Sequence, residues 1–427
     1  MTTALEVWLD SDLTDGPTLV GMLHSDRGQA RFEYASGWLG NPRAFALDPD
    51  LSLGKGAFFP SAETANFGVF LDSSPDRWGQ TLMKRREALD ATNEGRRPRN
   101  LYAWDYLVGV QDLTRQGALR FKLQGTQDYL GKHSLAAPPM TDLRELADIA
   151  LQLSRKKIDD LAPLDRWLSV LVAPGASLGG ARPKANFREM DESLWIAKFP
   201  ASDDDRDIGA WEGIAHSLAV NAGVDVPVAK TVKLSSEHHT FCVRRFDRVG
   251  GQRIFYASAM TLLRKSSSEG SSYLELAQFL QRNGQASTVN RDLAQLFKRV
   301  VFNVAIGNRD DHLRNHGFLH TQGGWRLSPA FDVNPNVDKA DHVLNLDDSD
   351  NRPDVGIVLA TAAFYGLEES EGRQIVQEVG ECVAAWEQIA RSAGMNNAEI
   401  SGMGVAFSAL DNWPDPPSIS RPRINSL

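Results

Sequence analysis

Cysteine is almost missing from this chain. Its 427 residues include two, Cys242 and Cys382, far apart and without partners at metal-ligand spacing. A disulfide framework, a cysteine-held metal centre and a cysteine nucleophile are therefore poorly served. Two buried free thiols are expected instead, as suits a reducing cytosol. Long apolar runs are missing as well, and none reaches the roughly 18 residues a membrane span needs. The first residues, MTTALEVWLD, have neither a basic leader region nor an apolar one. A soluble, cytoplasmic protein with no membrane partner is expected. Positive charge is in deficit: 46 Lys and Arg against 55 Asp and Glu leave a formal net charge of −9. Wrapping nucleic acid needs concentrated basic surface, so such a chain is not expected to do it unaided. No internal repeat is present. The Walker A string Gly-Lys-Ser/Thr is absent too, which argues against a P-loop NTPase.

What is present is ordinary globular composition, 42% hydrophobic and 24% charged. Residues 1–125 read as an α+β module. Leu5-Glu6-Val7-Trp8-Leu9 and Ala30-Arg31-Phe32-Glu33-Tyr34 alternate with period two, the mark of half-buried strands. Residues 76–92 read as a helix whose Lys84, Arg85 and Arg86 form a solvated face or a partner patch. A polar stretch from Gln124 to Met140 reads as a linker.

Residues 126–250 read as a β-rich lobe. Helical spacing at 141–154 precedes a glycine-rich turn. Strands follow at Lys184–Arg188, Ser193–Phe199, Val228–Leu234, His239–Phe246 and Arg253–Tyr256. One helix interrupts them, with Trp211, Ile214, Ala215, Leu218, Ala219 and Ala222 on a single face. Residues 251–427 read as mainly helical. Leu293, Leu296, Phe297, Val300, Val301 and Val304 mark one buried helix, and the run from Ile375 to Ile389 marks another. The proline-rich end reads as a loose tail. A small β-rich lobe joined to a larger α lobe is the division of a protein kinase, though other α+β proteins share it.

The chemistry-bearing residues cluster after the helix that ends near Ile306. Asp310 and Asn315 match the kinase catalytic-loop spacing Asp-x-x-x-x-Asn. Asp332 follows beyond a hairpin that turns at Gly323-Gly324. Phosphoryl transfer needs a carboxylate at the incoming hydroxyl and few protein ligands on magnesium, so these three suffice in kind. Asp and Asn are also common turn residues, and it is the set of three that points to catalysis. His312 is open between contacting a phosphate, binding metal and bonding within the loop. A zinc site from Asp310, His312 and His316 lacks the helical pairing such sites use.

The segment Gly307-Asn308-Arg309-Asp310-Asp311-His312, with Asn315 and the run Leu327 to Asp332, resembles the signature of the HipA family, kinases of bacterial toxin–antitoxin systems. The strands at the start and the run Leu71-Asp72-Ser73-Ser74-Pro75-Asp76 resemble that family's N-terminal module. The resemblance implies a two-lobed, kinase-like α+β fold using ATP and Mg2+. It implies Asp310 as catalytic base, with Asn315 and Asp332 on the metal.

Ser177-Leu178-Gly179-Gly180-Ala181-Arg182, with Lys184 beyond, is a glycine turn before a strand, a shape whose backbone amides can cradle phosphates. It resembles the family's phosphate loop, which makes Ser177 an expected autophosphorylation site. Added phosphate there would repel nucleotide. Lys198 inside an apolar strand needs a counter-charge. By kinase analogy it reaches the ATP phosphates, with Glu212 as its partner. Arg244 and Phe246 resemble the hinge that meets adenine through its backbone.

The family's targets suggest an aminoacyl-tRNA synthetase substrate, glutamyl-tRNA synthetase first, and growth arrest as the outcome. The implied partner is a helix-turn-helix antitoxin of HipB type, with DNA touched only through it. A small-molecule kinase on the same scaffold and a non-catalytic ATP- or antitoxin-binding co-repressor are the alternatives.

Overall fold

The computed structural model describes residues 3–26, 28–131, 137–155, 182–234 and 237–414. The expected turn residues Ser177, Leu178, Gly179, Gly180 and Ala181 lie outside them.

The N-terminal alternation folds as read. Strands β1 (Thr3–Leu9), β2 (Thr18–Asp26), β3 (Gln29–Tyr34), β4 (Ala57–Phe58) and β5 (Leu119–Leu123) form one antiparallel sheet in the order β4-β3-β2-β1-β5. Leu5, Val7 and Leu9 on its inner face are fully buried. The chain leaves the sheet through the short helix Gly68–Asp72, then enters the helix Arg77–Asn93. Asp76 caps that helix, its Oδ1 accepting from the Gly79 amide at 2.9 Å.

The second sheet has the order β6-β7-β9-β8, from β6 (Lys184–Arg188), β7 (Leu194–Lys198), β8 (Ala229–Val232) and β9 (Thr240–Arg244). The helix Leu143–Ser154 lays Leu143, Leu146, Ala150 and Leu153 against it. Trp78, Leu82 and Leu89 of the Arg77–Asn93 helix join the same core with Phe187, Phe199 and Cys242. Arg85 is half-buried and already engaged. Its guanidinium donates to the carbonyls of Leu153 and Arg155 at the end of the neighbouring helix, where backbone carbonyls lack internal partners.

Helices Tyr273–Asn283, Val289–Ala305 and Glu369–Val383 build the larger lobe. Its core is continuous with that of the N-terminal sheet. Among the described residues no helix is long and apolar enough to cross a membrane.

Four sequence readings need correction. The strand read over 253–256 is two pieces. Arg248–Val249 (β10) and Gln252–Arg253 (β11) make a small hairpin, and Tyr256–Ser258 (β12) joins β13 (Gly317–Thr321) and β14 (Gly324–Leu327). The break arises because Arg253 turns inward to the Asp112 carbonyl at 2.6 Å while Ile254 bonds back to Asp247. The helix read over 375–389 ends at Val383 and restarts at Trp386. Trp386 stacks flat on Phe407 at 4.2 Å. The tail is anchored at Trp413, whose Nε1 donates to Val376 O at 3.1 Å. Gly380 makes room for that ring, since a Cβ there would stand 2.3 Å from Trp413 Nε1. Both cysteines are free thiols, but Cys382 is only partly buried and bonds the Asn221 carbonyl.

Candidate active site

The candidate catalytic-loop residues sit where the Val289–Ala305 helix stops. Gly307 supplies the stop with φ of +62°, and a Cβ there would lie 2.2 Å from the Ala406 carbonyl oxygen. Left-handed backbone costs an ordinary residue about 1–2 kcal/mol before any clash is added. Gly307→Ala is thus expected to lower the melting temperature, and an unchanged thermal melt would contradict this.

Past that turn, two adjacent aspartates take opposite directions. Asp311 is buried, accepting from Tyr273 Oη at 2.6 Å, Asn303 Nδ2 at 2.8 Å and His316 Nε2 at 2.7 Å. Burial alone would raise its carboxyl pKa. His316 and the Tyr273 hydroxyl outweigh that and hold it below the usual range. Asp311 therefore stiffens the loop and has little capacity left for a substrate proton. Asp310 is exposed and ion-paired with Lys339. Lys339 comes from a turn that Asn336 organises by accepting its amide. The zinc arrangement does not form, because Asp310 goes to Lys339 and His316 goes to Asp311.

Lys198 projects from β7 into the space between the lobes. It is ion-paired with both Glu212, on the Ile208–Asn221 helix, and Asp332. Burial would depress its pKa, but the carboxylates of Asp332 and Glu212 raise it, so it stays cationic. Glu212 moves upward through burial, with Lys198 opposing. Asp332 sits in the left-handed region at φ +54°. That costs on the order of 1–3 kcal/mol, and such strain persists only where surroundings enforce it.

Lys184 pairs with Lys198 across β6 and β7, yet it is not aimed freely at a nucleotide. Its Nζ meets Asp76 Oδ2 at 2.7 Å, both side chains being buried. Arg182 is likewise engaged, bidentate on Asp204 at 2.9 and 2.6 Å.

A cavity of about 260 Å³ gathers these groups, with Arg182, Lys198, Asp310, His312, Asn315 and Asp332 in its wall. Next to it lies an apolar pocket lined by Ile196, Val226, Phe241, Val243 and Phe331. The hinge reading changes here. The Arg244 amide donates to Val228 O at 2.8 Å, and its side chain is exposed near Asp191. Only its carbonyl remains for adenine. Phe246 lines neither cavity, and its ring packs 5.5 Å from that of Phe331, which lines the apolar pocket.

The wall also bears on metal binding. Asn315 Oδ1 and Asn334 Oδ1 are buried without a hydrogen-bond partner, as is His312 Nδ1. Unsatisfied buried acceptors are costly and call for an occupant. Among the described residues no group of three or more His, Cys, Asp or Glu forms a cage. One carboxylate and one amide oxygen suit magnesium, which keeps waters and phosphate oxygens as its other ligands. Asn334 and Lys339 were not singled out from the sequence. Asn334 stands two residues past Asp332 and could have been suspected. Nothing in the sequence marked Lys339.

Residues 176–386 match the family model for the HipA-like C-terminal domain. A Haemophilus influenzae protein that carries a provisional kinase name is 24% identical over 197 residues. The match covers 40% of this chain and 57% of that protein, little more than half its length. The HipA structure of Shewanella oneidensis MR-1, solved with HipB and operator DNA, superposes with a TM-score of 0.66 at 18% identity. That superposition covers 95% of each chain. The kinase CtkA of Helicobacter pylori matches over 55% of this chain and 90% of its own, with a TM-score of 0.42 and 13% identity.

Proposed function

With residues 176–386 a HipA-like C-terminal domain in a chain of HipA fold, we propose that the protein is an ATP- and magnesium-dependent serine/threonine protein kinase of the cytoplasm. The observation that carries this reading is the convergence of Asp310, Asn315, Asp332 and Lys198 on one cavity.

Asp310 is the general base that takes the proton of the acceptor hydroxyl. Lys339 holds it in place until that hydroxyl arrives. Lys198 binds the ATP phosphates, positioned by Glu212. Asn315 and Asp332 hold magnesium, which when bound neutralises charge on the phosphates. His312 contacts the phosphate end, and the apolar pocket beside Phe241 and Val243 takes the adenine. By the family resemblance Ser177 is the autophosphorylation site, and phosphate there would shut the enzyme down by like-charge repulsion.

By the family resemblance the protein acts as a toxin restrained by a helix-turn-helix partner of HipB type, reaching DNA only through it. Its acceptor is an aminoacyl-tRNA synthetase, glutamyl-tRNA synthetase first. Purified protein with labelled ATP, magnesium and a cell lysate tests the reading. Label on a protein band is the expected result. Label on a metabolite alone, or nucleotide bound without transfer, would end it.

Lys198→Met should lower kcat/KM for ATP by about 10- to 100-fold. A hydrogen bond to a charged group is worth roughly 1.5–3 kcal/mol, and each 1.4 kcal/mol is about a factor of ten. Steady-state kinetics over a range of ATP concentrations checks it.

A further inference from the structure

The N-terminal module holds a fixed place against both lobes. Asp72 reaches the larger lobe, where its carboxylate accepts from Ser258 N at 2.7 Å and Ser258 Oγ at 2.8 Å. Asp76, four residues on, reaches the smaller lobe through Lys184 at 2.7 Å. Trp78 Nε1 adds a bond to the Lys184 carbonyl at 3.2 Å. Three buried anchors within seven residues set the module rigidly beside the catalytic loop.

Between the module and the larger lobe is a cleft of about 960 Å³. It is several times the 260 Å³ cavity proposed for the phosphates. Asp310 and His312 stand in the wall of both. Asp310 and His312 therefore stand where the two spaces meet. A hydroxyl arriving through the cleft would meet the base there beside the terminal phosphoryl group, with the leaving oxygen on the far side of the phosphorus, as in-line transfer requires.

The rest of the lining indicates what arrives. Arg77 and Arg314 are exposed, and among the described residues neither forms an ion pair. Tyr102, 65% exposed, and Tyr106 stand beside them. The anionic residues of the wall are already engaged, Asp72 by Ser258 and at longer range by Arg314, Asp76 by Lys184 and Asp310 by Lys339. Two unpaired guanidiniums with tyrosine rings suit a polypeptide bearing carboxylates. The chain's own Ser177 segment, Leu171 to Gly180, has no acidic residue and suits them poorly.

Resting on the kinase reading above, we infer that this cleft is the acceptor-protein groove. The N-terminal module forms one wall, and Arg77 and Arg314 select acidic side chains flanking the acceptor serine or threonine.

The test uses the full chain and a peptide library with a fixed serine and either Asp/Glu or Lys/Arg flanks. Acidic flanks should be preferred. Arg77→Glu and Arg314→Glu should each cut kcat/KM for acidic peptides about two- to fivefold, the range of exposed ion pairs. The same variants should improve transfer to basic peptides, with KM moving more than kcat. Arg77→Lys should keep the wild-type preference. Anisotropy of a labelled acidic peptide with alanine at the acceptor position gives a readout that needs no catalysis. If transfer occurs but its charge preference is the same in wild type and variants, the groove is overturned and the kinase stands. If acidic peptide binds and Arg77→Glu releases it while nothing is ever phosphorylated, the groove stands and the kinase reading falls. If the acidic peptide neither binds nor is preferred, the groove is overturned.

Discussion

Asp310→Asn is expected to slow phosphoryl transfer by about 10²- to 10⁴-fold, the usual worth of a positioned general base, and to leave the protein folded. Both halves follow from the opposite fates of two neighbouring aspartates. Asp310 is exposed and its ion pair with Lys339 lies at the surface. Surface pairs contribute about 0–1 kcal/mol, so its amide replacement removes chemistry and little stability. Asp311→Asn makes the contrast. It would disturb a buried acceptor shared by Tyr273, Asn303 and His316 and should lower stability together with activity. Transfer rates alongside circular dichroism and thermal melts separate the two. An Asp310→Asn protein that phosphorylates at the wild-type rate would remove Asp310 from the reaction.

The largest stability effect is expected far from the nucleotide, at Asp247. Its carboxylate accepts from Arg245 at 2.9 and 2.6 Å, from Arg248 at 2.7 Å and from the Gly117 amide at 2.8 Å. Arg245 also reaches Thr114 O at 2.6 Å and Asn186 Oδ1 at 2.9 Å. One buried carboxylate thereby joins the N-terminal module, β6 and the segment after β9. Asp247→Asn keeps the shape but leaves two buried guanidiniums without their counter-charge. Breaking a buried pair from one side costs about 3–5 kcal/mol. A lowered denaturant midpoint should report it.

The pH dependence has a definite sign. Burial would raise the Asp247 carboxyl, but Arg245 and Arg248 more than offset it and hold its pKa below the usual carboxylate range. A carboxyl depressed in the folded state stabilises above its unfolded pKa of about 3.9 and loses that contribution as pH falls toward the folded value. The stability gap between wild type and Asp247→Asn should be full at neutral pH. Below about pH 4 it should shrink by up to about 1.4 kcal/mol per pH unit. A gap that stayed constant into acid would show that the charge of Asp247 contributes nothing.

Much of the site was legible because its signals are local. Asp310 and Asn315 lie within one loop, and Asp332 follows a hairpin marked by its own glycines. The resemblance to the HipA family, read from residues 307–332, agrees with the domain match over 176–386. The Glu212 pairing with Lys198 was legible by analogy alone, since a buried lysine demands a carboxylate without saying which. Lys184 was expected at the nucleotide, and only the structure revealed the pairing with Asp76, over a hundred residues earlier. The Lys339 contact with Asp310 had no sequence signal at all.

The sequence by itself determined the α+β composition, the helix and strand faces that bury apolar side chains, and the three oxygen-bearing residues of the candidate site. Those properties depend on periodicity and short spacing, which a chain carries before it folds. Tertiary structure alone decided that Asp310 and not Asp311 faces the cleft, that Asp76 occupies Lys184, and that the N-terminal module stands as a wall beside the catalytic loop. Each of these joins groups distant along the chain. Their energies are set by burial and geometry after collapse, and no local pattern of residues encodes them.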